Sequence, residues 1–197
     1  MLDVLSMGCC AGCGYPGTQL CRSCSRRLAP CGPLDAPPPL ARLAAGWGYE
    51  GPARSLVLGL KLRGRRGLAA PLAEAMAAAA YRRGITGEVV TWIPGRAGDV
   101  RNRGFDHAEV LARGVGARLG LPVVPLLQPA GPKADQTGLD SAQRWENLKG
   151  AFVARNAHGG VVLVDDVMTT GATIRAGAGA LSAAGASRIE GLVACRA

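Results

Sequence analysis

The sequence predicts an α/β fold: a mainly parallel sheet flanked by helices, preceded by a small module built on four cysteines. Three observations predict it. From residue 46 onward, short apolar runs alternate with helical patterns, the order expected of a parallel sheet with crossover helices. Near the C-terminus, Val161-Val162-Leu163-Val164 reads as a buried parallel strand running into Asp165-Asp166, a loop of small residues and then a helix. At the N-terminus, six of the seven cysteines lie before residue 32.

Composition sets the limits. A chain of 197 residues accommodates one main domain and a small appendage. Hydrophobic residues make up 48%, enough for a packed core, but aromatics only 4%, so that core is made of Ala, Val and Leu. The formal net charge of +9 favours anionic partners, and both a phosphorylated small molecule and nucleic acid fit. Basic residues cluster locally at Arg22, Arg26 and Arg27 and at Lys61, Arg63, Arg65 and Arg66, and a solvated surface is the competing reading for both clusters. No aromatics are interleaved with them, so no base-stacking platform for single strands is visible. Residues 1–7 lack the basic start and apolar core of a signal peptide, and no run of about 18 apolar residues spans a membrane. The expected location is the cytoplasm.

Taken in order, the chain divides into residues 1–34, 35–45 and 46–197. The first part holds Cys10-x2-Cys13, seven residues, then Cys21-x2-Cys24. Four thiolates at this spacing suit a tetrahedral, structural Zn2+ site, with Gly12, Gly14 and Gly17 allowing the tight turns. Disulfides and a redox CxxC are the alternatives; a reducing cytoplasm disfavours the first and the doubling of the motif the second. Cys9 is an alternative to Cys10 with less favourable spacing, Cys31 lacks a local partner, and Cys195 reads as a buried strand residue. The Pro-rich stretch from residue 30 to 39 reads as a semi-rigid linker.

The main part opens with a short strand over 46–49. Pro52 then starts a helix with an apolar stripe at Leu56, Val57 and Leu60. Residues 68–83 form an Ala-rich helix and 89–93 a strand ended by Pro94-Gly95. A helix follows from Asp106, its N-cap, with Glu109 as capping-box partner. A strand is expected over 123–127 and a loop over 128–137. Asp140 and Gln143 make a second capping pair before a short helix. The strand at Val161, a helix over 173–183 and a strand over 189–194 complete the series. Trp92 and Trp145 read as packing anchors.

The segment from Val161 to Thr173 carries the chemistry. A strand, a hydroxyl- and glycine-rich loop and a helix N-terminus together make an anion cradle. Thr169, Thr170, Gly171, Ala172 and Thr173 offer amides and hydroxyls to a phosphate, and glycine lets the backbone come close. Asp165 and Asp166 can accept hydrogen bonds from sugar hydroxyls or help to hold Mg2+. The ligand implied carries both a phosphate and a polyol. In sheets of this kind ligands bind at the carboxyl ends of strands, so the ends at Pro94 and Asp165 should converge.

This segment resembles the phosphoribosyl pyrophosphate (PRPP) motif of type I phosphoribosyltransferases. Over nearly its whole length the chain resembles the ComF family of competence-associated, phosphoribosyltransferase-like proteins. The matching pieces, in order, are the Cys knuckles, Tyr49-Glu50-Gly51, Leu60-Lys61, Ile93-Pro94, Arg103-Gly104-Phe105, Gln136-Thr137-Gly138-Leu139, Arg144-x2-Asn147, Gly150-Ala151-Phe152 and the PRPP-like motif. The chain departs from the family at Asp106 and His107, where Asn and Gln are usual. It also has Gly95 in place of a larger apolar residue, and Cys31 alone where relatives carry a second Cys pair.

The resemblance implies a PRPP ligand with Mg2+, displacement at the ribose C1 carbon and release of pyrophosphate. Asp165 and Asp166 would be the catalytic pair, holding the ribose 2- and 3-hydroxyls. Thr169 to Thr173 would bind the 5-phosphate. Lys61, Arg96, Arg101 and Arg103 would face pyrophosphate, with a solvated surface as the alternative for Lys61, Arg101 and Arg103. His107 reads as a first-turn helix residue rather than a catalyst. Residues 128–147 would be a mobile hood. The competing function is a non-catalytic factor in DNA uptake that touches single-stranded DNA or a helicase and binds PRPP as a signal. The sequence names neither the acceptor nor the oligomeric state.

Overall fold

The computed structural model describes residues 8–130 and 150–197. The 136–139 piece, the Asp140/Gln143 capping pair, Arg144, Trp145 and Asn147 lie outside the described residues. Helix α1 (Arg22–Ser25) belongs to the cysteine module. Strand β1 (Arg42–Gly48) leads to α2 (Gly51–Arg63), a 3-10 turn (Arg66–Leu68) and α3 (Ala69–Arg83). Strand β2 (Val89–Trp92) is followed by α4 (Ala97–Arg103) and α5 (His107–Leu119). Short strands β3 (Leu127–Pro129) and β4 (Phe152–Ala154) precede β5 (Gly160–Met168), α6 (Ala172–Ala183) and β6 (Arg188–Arg196).

Four strands form one sheet in the order β1-β6-β5-β2, every neighbouring pair parallel. Strand β5 is therefore central, and its residues 161–164 alternate between two apolar layers. Val162 and Val164 face the layer made by Leu56 and Leu60 of α2, Leu72 and Met76 of α3, and Leu111 and Val115 of α5. Val161 and Leu163 face Ile174, Ala178 and Leu181 of α6. Burying both faces requires a strand without polar alternation, which is why this run is continuously apolar.

The Ala-rich α3 packs close to its neighbours. A Cβ at Gly46 of β1 would stand 3.0 Å from Ala75, and one at Gly114 of α5 would stand 2.7 Å from Ala73. Small side chains on both partners set this distance.

Several expectations need correction. Strand β1 begins at Arg42, four residues before the expected start. No strand forms over 123–127: Val123 makes one bridge to Val90, and Pro125, which has no amide proton, interrupts the run before β3. The stretch after Pro94 holds helix α4 rather than a plain loop. Asp106 does cap α5, but its acceptor role is toward the Ala108 amide, and Glu109 pairs instead with Arg113 at 2.7 Å. Helix α6 starts at Ala172, one residue early, and β6 extends to Arg196 with Cys195 fully buried. The Pro-rich stretch lies against the sheet: Pro30 bridges Trp47, the Cys31 amide donates to Gly46, and Leu34 and Ala36 pack on the α6 layer. Among the described residues, no helix is long and apolar enough to cross a membrane.

Candidate functional site

Asp165 and Asp166 stand inside β5, at the point where the sheet narrows. Strand β2 accompanies β5 only to Val164, whereas β6 follows it to Met168. The two carboxylates thus emerge at a step in the sheet. Each takes up a neighbouring amide: Asp166 N donates to Asp165 Oδ1 at 2.8 Å, and Val167 N to Asp166 Oδ1 at 2.7 Å.

Their surroundings differ. Asp166 Oδ2 has Lys61 Nζ of α2 at 2.8 Å and His107 Nε2 of α5 at 3.0 Å. Burial pushes Asp166 up, but His107 and Lys61 outweigh it and hold the group below the usual carboxylate range. The same oxygen is buried, and neither neighbour has the alignment of a hydrogen bond to it. Asp165 is pushed well above the usual range by burial and by the charge of Asp166. Burial lowers Lys61, yet the facing Asp166 raises it on balance. The pair therefore sets a carboxyl biased toward its protonated form beside one biased toward its ionised form, a combination able to grip adjacent hydroxyls.

A cavity of about 510 Å3 opens over this pair. Lys61, Arg96, Arg103, Asp165, Asp166 and Thr173 line it, as does His107. Arg101 does not line it; its side chain is exposed on α4. The lining also includes Asp99, which the sequence reading did not pick out, together with Pro129 from the start of the stretch read as a hood and Phe152 of the Gly150-Ala151-Phe152 piece. The Pro94-Gly95-Arg96 turn is tied to α5, since the Gly95 amide donates to Asp106 Oδ2 at 2.8 Å. A Cβ at Gly95 would stand 3.2 Å from Val100 and 3.5 Å from both Asp106 oxygens. The departures at Gly95 and Asp106 are thus linked by one hydrogen bond, and a side chain at Gly95 would press first on Val100.

Beside the acids, residues 167–174 line a smaller cavity of about 30 Å3 that includes Thr169, Thr170, Gly171, Ala172 and Thr173. Gly171 adopts a left-handed conformation with φ 77° and caps α6, a turn that a side chain would strain. The Ala172 amide donates to Thr170 Oγ1 at 3.4 Å, so the loop is preformed around the helix N-terminus.

The N-terminal knuckles assemble a second site. One sulfur from each of Cys10, Cys13, Cys21 and Cys24 lies within 4.8 Å of the other three. This set can hold a metal ion such as zinc, and the thiolate chemistry fits it. Cys10 Sγ accepts from the Cys21 amide and Cys21 Sγ from the Cys24 amide, the amide-to-sulfur pattern of a knuckle. Burial raises Cys10, but amide bonds from Cys21, Cys13 and Gly12 bring it down to about 6, whereas burial and the neighbouring cysteines push Cys24 up to about 12. Four thiols crowded together favour an arrangement in which a cation replaces protons. Cys9 and Cys31 are not part of the cluster.

The second basic cluster is largely engaged. Arg65 reaches the Cys9 carbonyl and Gln19 Oε1, tying the cysteine module to the end of α2. Arg66 donates to the Gly104 carbonyl at 3.1 Å and stacks 4.5 Å over Phe105. Arg22, Arg26 and Arg27 are exposed.

His107 is the first residue of α5, as expected, but the sequence reading gave it no place in the site. Its imidazole joins Asp166 to Arg103, whose Nη1 lies 2.6 Å from His107 Nδ1. The available signal was its departure from the family pattern right after Gly104-Phe105.

No family model matches the chain. It resembles the B. subtilis glutamine PRPP amidotransferase complexed with ADP and GMP at a TM-score of 0.45 and 20% identity, over 64% of this chain and 26% of that one. It resembles the adenine phosphoribosyltransferase from Leishmania tarentolae at 0.38 and 16%, over 80% of this chain and 62% of that one. The chain thus spans about a quarter of the amidotransferase and under two thirds of the adenine enzyme. A curated relative is closer in sequence: the DNA utilization protein YhgH of Salmonella typhimurium is 31% identical over 195 residues, 95% of this chain and 83% of the relative. With identity running through almost all of its length and the four-cysteine cluster in place, the chain belongs to the ComF family of phosphoribosyltransferase-like proteins.

Proposed function

We propose that this chain binds PRPP and transfers its phosphoribosyl group with release of pyrophosphate, in a process connected with DNA uptake or utilisation. One observation carries the reading: two buried acids of opposite bias stand on the central strand, directly before a glycine-capped loop that opens α6 into a small cavity. Asp165 and Asp166 hold the 2- and 3-hydroxyls of ribose. The loop from Thr169 to Thr173 holds the 5-phosphate with its amides and hydroxyls. Arg96 and Arg103 also line the cavity and would face the leaving pyrophosphate, and Lys61 supplies charge from α2.

Displacement at C1 of ribose passes through an oxocarbenium-like state, so fixed charge and positioning are the main contributions of the protein. Mg2+ supplies neutralisation of the leaving pyrophosphate, and the unaligned Asp166 Oδ2 beside the cavity fits a group that accepts a hydroxyl or a cation. Zinc held by Cys10, Cys13, Cys21 and Cys24 would have four protein ligands and would serve folding.

A second reading is a binding protein without turnover, in which PRPP reports metabolic state to a DNA-handling partner. The name of the Salmonella relative and the charge of +9 favour it. Calorimetric titration of PRPP with Mg2+, followed by a screen for pyrophosphate release with candidate bases, separates the two. Saturable binding with release supports transfer; binding without release with any acceptor supports the second reading; absence of binding overturns both.

A further inference from the structure

We infer that His107 is a positioning residue that fixes Arg103 and Asp166 relative to each other through one imidazole ring. The inference rests on the PRPP reading for its functional meaning, but its geometry stands apart from it.

The ring sits at the start of α5, 7% exposed, with Nε2 3.0 Å from Asp166 Oδ2 and Nδ1 2.6 Å from Arg103 Nη1. A guanidinium has donors and no acceptor. At 2.6 Å from Arg103, Nδ1 must therefore accept, and the ring proton must reside on Nε2, facing the carboxylate. The other carboxylate near the ring does not compete. Asp106 Oδ1 is 3.9 Å from Nδ1 and accepts from the Ala108 amide, while its Oδ2 accepts from Gly95. Lys61 reaches the same Asp166 oxygen from α2. One ring thus has a defined polarity, with its acceptor nitrogen on the pyrophosphate side and its N–H turned toward the carboxylate on the ribose side. Arg103 lines the cavity at one end of this chain and Asp166 at the other. The consequence is that the ribose-side carboxylate and the anion-side guanidinium are set at one spacing before ligand arrives.

A glutamine can reproduce this polarity, with its amide NH2 toward Asp166 and its carbonyl toward Arg103. A leucine of similar bulk cannot. The family pattern, with Gln at this place, is consistent with the same arrangement built from another side chain.

The test has two arms. The first is nitrogen NMR of the ligand-free full chain. The chain has two histidines, and His158→Gln leaves His107 as the sole signal. The expected result is the proton on Nε2, with the Nδ1 resonance shifting in Arg103→Leu. A proton on Nδ1, or an Nδ1 signal indifferent to Arg103→Leu, overturns the inference. The second arm measures PRPP affinity with Mg2+. His107→Leu should lose about tenfold, the scale seen when an orienting partner is removed, and His107→Gln should recover most of that loss. Equal affinity for His107→Leu and the unaltered protein overturns the positioning role. If the unaltered protein binds no PRPP, the proposed function fails, and the inference is decided by the nitrogen signals alone.

Discussion

Lys61 Nζ stands 2.8 Å from Asp166 Oδ2, so the cation from α2 serves one acid of the pair directly and leaves Asp165 with only its distant field. This asymmetry separates the two acids in stability as well as in charge. Asp165 is raised in the folded state, so it favours folding fully below the ordinary carboxylate value and loses that contribution as pH rises through its folded value. At neutral pH it opposes folding. Asp165→Asn should therefore raise the Tm at pH 7 by about 3 °C, with the gain shrinking on acidification, while PRPP affinity falls. Asp166 is held low, so its contribution is present above the ordinary value and is lost only in strong acid. Asp166→Asn leaves Lys61 without a counter-charge and should cost about 2 kcal/mol, less than a fully enclosed pair because the Lys61 side chain is 40% exposed. Thermal melts of both variants from pH 4 to 8 check the opposite signs; a loss of stability in Asp165→Asn at pH 7 contradicts the assignment.

The phosphate loop gives a separate prediction. Gly171 has φ 77°, and a Cβ there would meet Met168 Sδ at 3.5 Å, so the obstacle to substitution is backbone conformation more than space. A β-branched residue in this conformation is disfavoured by about 1–2 kcal/mol and would turn the α6 amides away from their present direction. Gly171→Val should abolish PRPP binding with the sheet intact, and Gly171→Ala should weaken it less. A folded Gly171→Val variant with unchanged affinity removes the phosphate role from this loop.

How much of this was legible depended on whether the signal was local. The β5 run was legible because burial on both faces leaves four residues, Val161 to Val164, with no polar alternation. The knuckles were legible because ligand spacing is short in sequence. Helix α4 was not: Ala97-Gly98-Asp99-Val100-Arg101-Asn102-Arg103 has no apolar face, buries no residue and lacks a side-chain cap. The expected strand at 123–127 misread an apolar run whose Pro125 denies it a ladder. The links from Asp166 to Lys61 and His107 join residues 105 and 59 positions apart, and only the packing of α2 and α5 on one face of the sheet brings them together. The sequence could place the carboxylates in a site; it could not show which cation belongs to which.

The metal prediction follows from the cysteine cluster. Elemental analysis of the purified chain should find about one zinc per molecule. Cys13→Ser should lose it and loosen the N-terminal module, because metal binding supplies most of the folding energy of so small a unit. Arg65 and Gln19 connect that module to α2, so the loosening should show as faster proteolysis before residue 40 while the sheet remains protected. Metal-free protein with a resistant N-terminus contradicts the site.

The nucleic-acid prediction must move to different residues than the charge pattern first picks out. Reversing Arg65 and Arg66 would cut the tie to Cys9 and Gln19 and the stack on Phe105, so any loss of DNA binding would be confounded by damage to the module. Arg26 and Arg27 are exposed on the far end of the cysteine module and free of that objection. If this surface contacts single-stranded DNA, the contacts are chiefly electrostatic, since large aromatics are scarce beside it. Affinity should then fall steeply between about 50 and 200 mM salt with little preference for sequence. Arg26→Glu with Arg27→Glu should remove two phosphate contacts, flatten the salt dependence by about two in log–log slope and leave PRPP affinity unchanged. Asp165→Asn with Asp166→Asn should do the reverse, because the proposed function has the acids grip ribose, whereas toward DNA phosphates they are only repulsive. Salt-independent binding, or DNA affinity indifferent to the Arg26 and Arg27 reversal, removes this face as a nucleic-acid contact and leaves the small-molecule site as the sole anion-binding surface argued from the structure.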